Sequence, residues 1–307
     1  MKLQMKTIKM LFFTGFSLLL AGCTGNVTSN QVEKQEKPII TVTIEPQRYF
    51  TEAIAGDKFE VVSMVPKGAS PETYDPVPQQ LVSLRNSEAY LRIGHIEFER
   101  VWMDKLMDNT PHIQVFDTSK GVDFIFDRHQ LCYHEDKRQG EPMHGIDPHI
   151  WNSTTNALII AGNTFKALSQ LDKENTHYYM ARYDSLCHRI MQVDSLIHKQ
   201  LSTPTAAKTF MIYHPALSYF ARDYGLQQVS IEEGGKEPSP AHLKDLIDLC
   251  KTSNVHVIFV QPEFDQRNAE TIMKQTGTRI VPINPLNYAW EEEMLNITQA
   301  LTTTEQP

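Results

Sequence analysis

The sequence is poor in cysteine, and its four cysteines are widely separated. They stand at positions 23, 132, 187 and 250, so the chain contains no Cys-x-x-Cys pair. Without Cys23, which we assign below to the amino-terminal signal, an odd number remains and permits at most one internal disulfide. We expect Cys187 and Cys250 to be small core residues. Cys132 lies two residues before His134 and is a candidate auxiliary metal ligand.

The chain also lacks an excess of basic residues. It has 37 Asp and Glu against 29 Lys and Arg, which gives a formal net charge of -8. This balance argues against a nucleic-acid partner and against a polybasic membrane-binding surface. It suits a cation-binding protein, although many solvated surfaces are equally acidic. A chain of 307 residues with 41% hydrophobic content is long enough for about two globular domains.

The amino-terminal apolar run is too short to be assigned as a transmembrane helix. It covers residues 10–20 behind three lysines, and small residues then lead to Cys23. This arrangement is typical of a secretory signal, and Leu20-Ala-Gly-Cys23 resembles a bacterial lipobox. We therefore predict a lipoprotein signal peptide over 1–23, a lipidated Cys23, and a polar tether over 24–37. The protein would then be anchored in the cell envelope, on the periplasmic side of a bacterial membrane. An uncleaved anchor and a simple secreted protein are the alternatives.

No short internal repeat is visible, but strands and helices alternate in two separate series. The first series begins with the apolar, β-branched segment Pro38–Ile44, and the second begins with the strand Thr209–Tyr213. Alternation of this kind predicts βαβ units on a parallel sheet. The predicted fold class is α/β, with two lobes over 38–172 and 203–303, each a parallel four-stranded sheet flanked by helices.

A long helix is predicted between the two series, over residues 173–202. Its apolar positions form one continuous stripe at helical spacing. They are Tyr179, Tyr183, Leu186, Ile190, Val193 and Ile197. A helix from Lys173 to Leu201 would span roughly 43 Å, which exceeds what one small lobe needs. We interpret it as a strut that bridges two lobes.

His149 lies in the segment Asp147-Pro-His-Ile-Trp151, at the entrance to the next predicted helix. Pro148 disfavours helix at Asp147, and Asn152 and Ser153 are candidate helix caps. Three further histidines precede it in a long loop without periodicity, namely His129, His134 and His144. Imidazole is the commonest transition-metal ligand, so these residues indicate a metal site. A buried structural histidine capping the helix is an equally good interpretation of His149 alone.

Four candidate ligands fall in loops beyond strand ends or at the junction between the lobes. They are Glu72, His149, His214 and Asn284. Ligands of open α/β sheets bind outside the carboxyl ends of the strands, so a ligand between the lobes would meet two donors from each side. Nitrogen and oxygen donors in a set of four suit Zn²⁺, with Mn²⁺ or Fe²⁺ as alternatives.

At this point the sequence resembles a known family, the metal-binding solute receptors of ABC importers of the zinc and manganese uptake type. The resemblance covers about residues 38–302. It is carried by Ile54-Ala-Gly-Asp57, Pro71-Glu-Thr-Tyr-Asp-Pro76, Asp147-Pro-His-Ile-Trp151, Tyr213-His214, Glu237-Pro-Ser-Pro240, Val257-Ile-Phe-Val-Gln-Pro262 and Ile283-Asn-Pro-Leu286. Each motif is weak by itself, but their common order and spacing make the resemblance strong.

The resemblance implies two lobes bridged by one rigid helix, with little hinge closure, and assigns His149 and His214 as metal ligands. Glu72 stands where the family usually has histidine, and Asn284 stands where it usually has aspartate before Pro-Leu. A carboxylate is a good zinc ligand, whereas an amide oxygen is neutral and a poorer donor. Gln261 replaces a glutamate often seen there and would act behind the ligands. These departures bear on affinity and on the choice of metal.

The predicted function is capture of Zn²⁺ between the lobes and delivery to the permease and ATPase of an ABC importer, by a monomer with no nucleic-acid partner. The histidine loop would gather metal or act as a lid, unless its histidines are incidental. A receptor for Mn²⁺ or Fe²⁺, a metal buffer and an adhesin are alternatives. A zinc-dependent hydrolase is a further one, with Asn284 unbound and Glu263 or Asp265 as base. The sequence has no His-Glu-x-x-His motif to support it.

Overall fold

Two parallel four-stranded sheets form the framework of the protein. The computed structural model describes residues 37–126, 145–253 and 255–303. The first sheet contains β1 Ile39–Val42, β2 Glu60–Ser63, β3 Ser87–Arg92 and β4 Gln114–Asp117 in the order β2-β1-β3-β4. The second contains β5 Thr209–Ile212, β6 Gln227–Ser230, β7 Val257–Val260 and β8 Arg279–Pro282 in the order β6-β5-β7-β8. The predicted fold class is confirmed.

Helices flank both sheets. Their bounds are α1 Glu45–Ala55, α2 Pro78–Leu84, α3 Glu97–Asp108, α4 Thr154–Leu171, α5 Thr176–Leu201, α6 Ser218–Tyr224, α7 Pro240–Ser253, α8 Arg267–Thr276 and α9 Trp290–Thr302. Strand β7 is buried along its whole length, as expected of a parallel strand covered on both faces. Within the described ranges, no helix is both long enough and apolar enough to cross a membrane.

The same strand order in both sheets creates a crevice in each. Strand β1 pairs with both β2 and β3, and β5 pairs with both β6 and β7. The chain therefore winds in opposite directions from these central strands, and ligands of open α/β sheets bind at the carboxyl ends of strands around such a switch point. His214 follows β5, and Gln261 follows β7, which places both at the crevice of the second sheet.

The predicted strut is helix α5, and it begins three residues later than expected. Lys173–Asn175 forms a separate 3-10 turn ahead of it. The carboxylate of Asp172 accepts hydrogen bonds from Asn175 Nδ2 at 2.7 Å and from the Tyr179 hydroxyl at 2.6 Å, and these bonds hold the turn. The 26 residues of α5 span about 39 Å. Its predicted apolar stripe is buried except for Tyr183, which is half-buried and stacks on Phe165 of α4 at 5.2 Å.

A single hydrophobic cluster runs through both lobes. It includes Ile40 of β1, Leu186 and Ile190 of α5, and Phe210 and Phe259 of the second sheet. A smaller cluster covers the other face of the second sheet. Because α5 packs against α1, α4 and α9, its buried stripe belongs to the cores of both lobes. Separation of the lobes would expose this apolar surface to water, which is unfavourable.

Two buried tryptophans join the lobes by hydrogen bonds to backbone carbonyls. Trp151 Nε1 donates to Pro285 O at 2.8 Å, and Trp290 Nε1 donates to Trp151 O at 2.8 Å. Asn152 Nδ2 donates to Ala216 O at 2.9 Å. The prediction of Asn152 as a helix cap is therefore wrong, because its amide bridges the lobes. Ser153 is the cap of α4 and accepts from the amide of Asn156.

Several predicted features lie outside the described residues. They are the signal peptide over 1–23 with Cys23, the tether over 24–37 except for its last residue, and Cys132, His129, His134 and His144 in the loop. The two ends of that loop are described: Phe126 pairs with Ile146 in an isolated antiparallel bridge, and Asp147 N donates to Ile125 O at 2.9 Å. Cys187 is half-buried and Cys250 is buried, and both are free thiols.

We expect Trp290→Phe to lower the free energy of unfolding by about 1–3 kcal/mol, because the carbonyl of Trp151 would lose its donor in a buried position. Urea unfolding of the two proteins measures the difference. Trp102→Phe is the matched control, since Trp102 is half-buried and the Lys105 ammonium lies over its ring, 4.7 Å from the centroid. Trp102→Phe should lower the free energy of unfolding by less than about 1 kcal/mol. Equal losses in the two variants would contradict a special role for the Trp290 hydrogen bond.

Candidate metal centre

Three of the four predicted ligands bring a donor atom to one point between the lobes. His214 Nε2 lies 2.8 Å from Glu72 Oε1 and 3.2 Å from His149 Nε2. His149 Nε2 lies 3.9 Å from Glu72 Oε1. Four-coordinate Zn²⁺ holds its nitrogen and oxygen ligands at about 2.0–2.2 Å, which places the ligand atoms roughly 3.3 Å from one another. The three observed distances bracket this value.

Glu72 is held by the loop that follows β2. A turn in that loop is closed by the bond from Thr73 N to Ser70 O, and Ser70 Oγ accepts from Glu72 N. Pro71 O accepts from Phe98 N at 3.0 Å, which ties the loop to the start of α3. The Glu72 side chain is 34% exposed, so its carboxylate lies at the mouth of the site.

His149 is fixed by Asp147. One carboxylate oxygen, Asp147 Oδ1, accepts from both the backbone N and the ring Nδ1 of His149, each at 2.9 Å. Trp151 packs edge-on to the imidazole. Asp147 is anchored in turn, because its backbone carbonyl accepts from the Tyr219 hydroxyl. The bond at Nδ1 leaves Nε2 as the atom that faces the site. Since Ser153 caps α4, the interpretation of His149 as the capping residue is wrong.

His214 is held on three sides. Its ring Nδ1 lies 2.9 Å from Glu232 Oε1, so Nε2 again faces the site. Gln261 bonds the backbone of His214 twice, accepting from its N at 3.3 Å and donating to its O at 2.7 Å. The ring of Phe264 stacks on the imidazole at 5.2 Å with an interplanar angle of 13°. Gln261 therefore holds the backbone of His214, and it also lines the cavity.

The charges at the site shift the pKa values of its groups. Burial would lower the pKa of His214, but its hydrogen bonds to Glu232 and Glu72 outweigh this effect and raise the pKa to about 10. Burial would raise the pKa of Glu72, yet its bond with His214 and the nearby imidazoles lower it. The pKa of Asp147 is likewise lowered by His149 despite burial. Burial raises the pKa of Glu263, which lines the same cavity.

The cavity at the three donors is very small. Its volume is about 30 Å³, which is room for about two water molecules. Its walls include Ser70, Ala216, Glu263, Phe264 and Leu286. A single ion fits this space. The size of the cavity and the chemistry of its donors therefore both suit a metal ion.

Asn284 is in a different position from the other three predicted ligands. Its side-chain oxygen accepts from Leu286 N at 3.0 Å, and its backbone N donates to Glu293 Oε1 at 2.8 Å. Pro285 and Leu286 line the cavity, but among the described residues Asn284 does not. The amide oxygen already has a donor within its own turn. The assignment of Asn284 as a ligand stays a prediction.

Three residues of the site were not assigned a role from the sequence. Asp147 and Glu232 orient the two imidazoles, and Phe264 covers one of them. Asp147 had a local signal, since it precedes Pro148 and His149 directly. Glu232 follows β6 by two residues, at the same sheet edge as His214, so its position after a strand was informative. No signal in the sequence distinguishes Phe264 from a core aromatic residue.

Comparison with known proteins adds to this geometry. Residues 40–303 match the family described as "Zinc-uptake complex component A periplasmic". The chain belongs to this family. The high-affinity zinc uptake system protein ZnuA of Bacillus subtilis (strain 168) is 26% identical over 282 residues, covering 90% of this chain and 87% of that protein. The manganese-binding lipoprotein MntA of Halalkalibacterium halodurans is 24% identical over 267 residues, covering 86% and 84%.

A solved structure described as the crystal structure of ZnuA superposes with a TM-score of 0.78 at 32% identity, covering 86% of this chain and 97% of that one. The resemblance inferred from the motifs is therefore confirmed, together with the two-lobed fold. The family consists of substrate-binding components of transporters and not of enzymes. The zinc-dependent hydrolase considered above, with Glu263 or Asp265 as base, is set aside on this ground.

We expect Glu232→Gln to lower the pKa of His214 by at least about one unit, because it removes one of the two carboxylates that stabilise the imidazolium. An NMR titration of the imidazole C–H signals in the metal-free protein measures this pKa. The exposed carboxylate Asp184, on the outer face of α5, provides the control as Asp184→Asn. An unchanged His214 pKa in Glu232→Gln would contradict the assigned role of Glu232.

Proposed function

We propose that this protein captures Zn²⁺ at Glu72, His149 and His214 and delivers it to an ABC importer. The observation that carries the proposal is the convergence of three donor atoms in a cavity of about 30 Å³. Two of the donors are imidazoles, each with a carboxylate at its other nitrogen. Carboxylate–histidine pairs of this kind orient metal-bound histidines and raise their basicity in zinc proteins.

The charge of the site also favours a cation. Glu72, Asp147 and Glu232 surround the two imidazoles, and the pKa values of Glu72 and Asp147 are lowered. Imidazoles that bind a metal are neutral, so with both histidines bound the three carboxylates give the site a formal charge of about -3. A divalent ion offsets most of this charge, whereas an anion would be repelled. The site therefore selects by charge as well as by size.

The donor set limits the choice of metal to a few divalent ions. Two imidazoles and a carboxylate are borderline donors that suit Zn²⁺ and also accept Mn²⁺ or Fe²⁺. The relatives divide in the same way, since one is described as a zinc uptake protein and the other as a manganese-binding lipoprotein. We favour Zn²⁺ because nitrogen donors form most of the set. Mn²⁺ or Fe²⁺ is the second candidate.

The proposed cellular setting follows from the family and from the amino-terminal sequence. Relatives named as substrate-binding lipoproteins of metal ABC transporters support a membrane-anchored, extracytoplasmic location with a permease and an ATPase as partners. We propose that Cys23 carries the lipid and that the protein acts as a monomer. His129, His134 and His144 would form an auxiliary metal-gathering loop. Roles as a metal buffer or an adhesin are distinguished from import by whether loss of the protein reduces metal uptake.

We expect His149→Ala and His214→Ala each to weaken Zn²⁺ binding by more than about 100-fold. Loss of a residue that only orients a ligand already costs roughly 10- to 100-fold, and loss of the ligand itself should cost more. Competition with a chelating dye measures the dissociation constant, and metal analysis gives the stoichiometry of the purified full-length protein. The exposed residue His177, on α5, provides a control as His177→Ala. Tight binding in either ligand variant, or no tight binding of any of the three metals by the wild type, would contradict the proposed function.

The affinity for Zn²⁺ should rise with pH between about 6 and 9. The pKa of His214 is raised to about 10, so in this range the metal-free imidazole is protonated and the metal must displace its proton. One displaced proton corresponds to an affinity gain of about tenfold per pH unit. Calorimetry in buffers of different ionisation enthalpy counts the released proton. A pH-independent affinity would contradict this coupling.

A further inference from the structure

The three converging donors are one short of a closed tetrahedral set. A zinc site that keeps only three protein ligands leaves its fourth position to water or substrate, which is typical of catalytic zinc. Asn284 was the predicted fourth ligand, but its side-chain oxygen accepts from Leu286 N at 3.0 Å. It would have to break this bond to reach a metal, and it would contribute no charge.

Glu263 is a carboxylate on the wall of the same cavity. It lines the cavity together with Glu72, His149 and His214, and it is half-buried. In the part of the chain that the structure describes, its side chain forms no ion pair or hydrogen bond with another residue. A partly buried carboxylate that forms no hydrogen bond or ion pair is unfavourable. A cation in the cavity would remove this cost.

Unlike Glu263, the neighbouring carboxylates each contact a charged or imidazole side chain. Glu72 and Glu232 each contact an imidazole nitrogen of His214, at 2.8 and 2.9 Å. Asp265, two residues along the chain, forms an ion pair with Arg267 at 2.8 Å and is exposed. Glu263 is thus the acidic side chain of this loop that faces the cavity and is not committed to a described protein partner.

The loop holds Glu263 in a fixed relation to His214. On one side, Gln261 bonds both the N and the O of the His214 backbone. On the other side, the Phe264 ring stacks on the His214 imidazole, and Phe264 N donates to Gln261 O at 3.3 Å. The backbone at 263 is therefore clamped between two contacts to a ligand. In this structure the Glu263 carboxylate is not among the donor atoms that lie together, and it would have to rotate about its three side-chain torsions to reach them.

We propose that Glu263 supplies the fourth donor of the metal site and tunes its choice of metal. This inference rests on the proposed function, since it assumes that Glu72, His149 and His214 bind the ion. The complete set then contains two imidazoles and two carboxylates, whose charge neutralises a divalent ion. Glu263 approaches from the second lobe, so each lobe contributes one imidazole and one carboxylate.

A second carboxylate has a consequence for selectivity. Carboxylate oxygens suit Mn²⁺ better than imidazole nitrogens do, so the four-donor set binds Mn²⁺ better than three donors and water would. The loss of Glu263 should weaken Mn²⁺ binding more than Zn²⁺ binding. The ratio of the two affinities therefore reports on Glu263 separately from the overall strength of the site.

The test compares Glu263→Gln with Asp265→Asn, which removes the paired, exposed carboxylate of the same loop. Asn284→Ala examines the alternative fourth ligand. Dissociation constants for Zn²⁺ and Mn²⁺ are measured on the full-length proteins by competition. We expect Glu263→Gln to weaken Zn²⁺ binding by about 10- to 100-fold and Mn²⁺ binding by more. Asp265→Asn and Asn284→Ala should each stay within about threefold of the wild type.

The visible absorption of bound Co²⁺ distinguishes a ligand from a residue that only supports the loop. The spectrum depends on the atoms bound to the metal, so it would not change if Glu263 had a purely structural role. Its ligand-field bands should change in Glu263→Gln and stay the same in Asp265→Asn. Unchanged bands, or a loss of affinity in Asn284→Ala equal to that in Glu263→Gln, would overturn the assignment. Tight binding that survives in Glu263→Gln but is lost in His149→Ala would overturn it while leaving the proposed function intact. A wild type without tight metal binding would overturn both.

Discussion

The hydrogen bond between a carboxylate and the Nδ1 of each site histidine is the contact on which the metal centre depends. Asp147 makes it to His149, and Glu232 makes it to His214. Each bond sets the ring orientation and leaves Nε2 to face the same point. The bond from Glu232 also raises the pKa of His214, because it stabilises the imidazolium in the metal-free site. Glu232 thus couples the geometry of the site to its proton content.

The two halves of the site need a constant separation, since the histidines belong to different lobes. One hydrophobic cluster extends from the first sheet through α5 to the second sheet, and Trp151 and Trp290 tie the lobes by backbone hydrogen bonds. A hinge motion would have to break these contacts and expose apolar surface. The site can therefore open and close around an ion only through movements of side chains and loops. The proposed movement of the Glu263 side chain on a fixed backbone is of this kind.

The fold and the three converging donors could be predicted from the sequence, because their signals are local. Alternating strands and helices specify the two sheets, and Asp147-Pro-His and Tyr213-His214 mark histidines at element ends. The role of Glu232 could not be predicted in the same way, because it depends on the parallel pairing of β6 with β5, which brings distant residues to one edge. Asn152 was misassigned because a cap and a bridge between lobes have the same sequence signal. The start of α5 was missed because one side chain, Asp172, decides it.

The bridge between Phe126 and Ile146 sets the two ends of the intervening segment side by side, one residue before Asp147. A chain whose ends are already joined adds little conformational entropy cost as it lengthens, about 0.6 kcal/mol for each doubling. The placement of His149 therefore does not depend on the length of chain between these two ends. Insertions or deletions between these two ends can therefore accumulate without displacing Asp147 and His149.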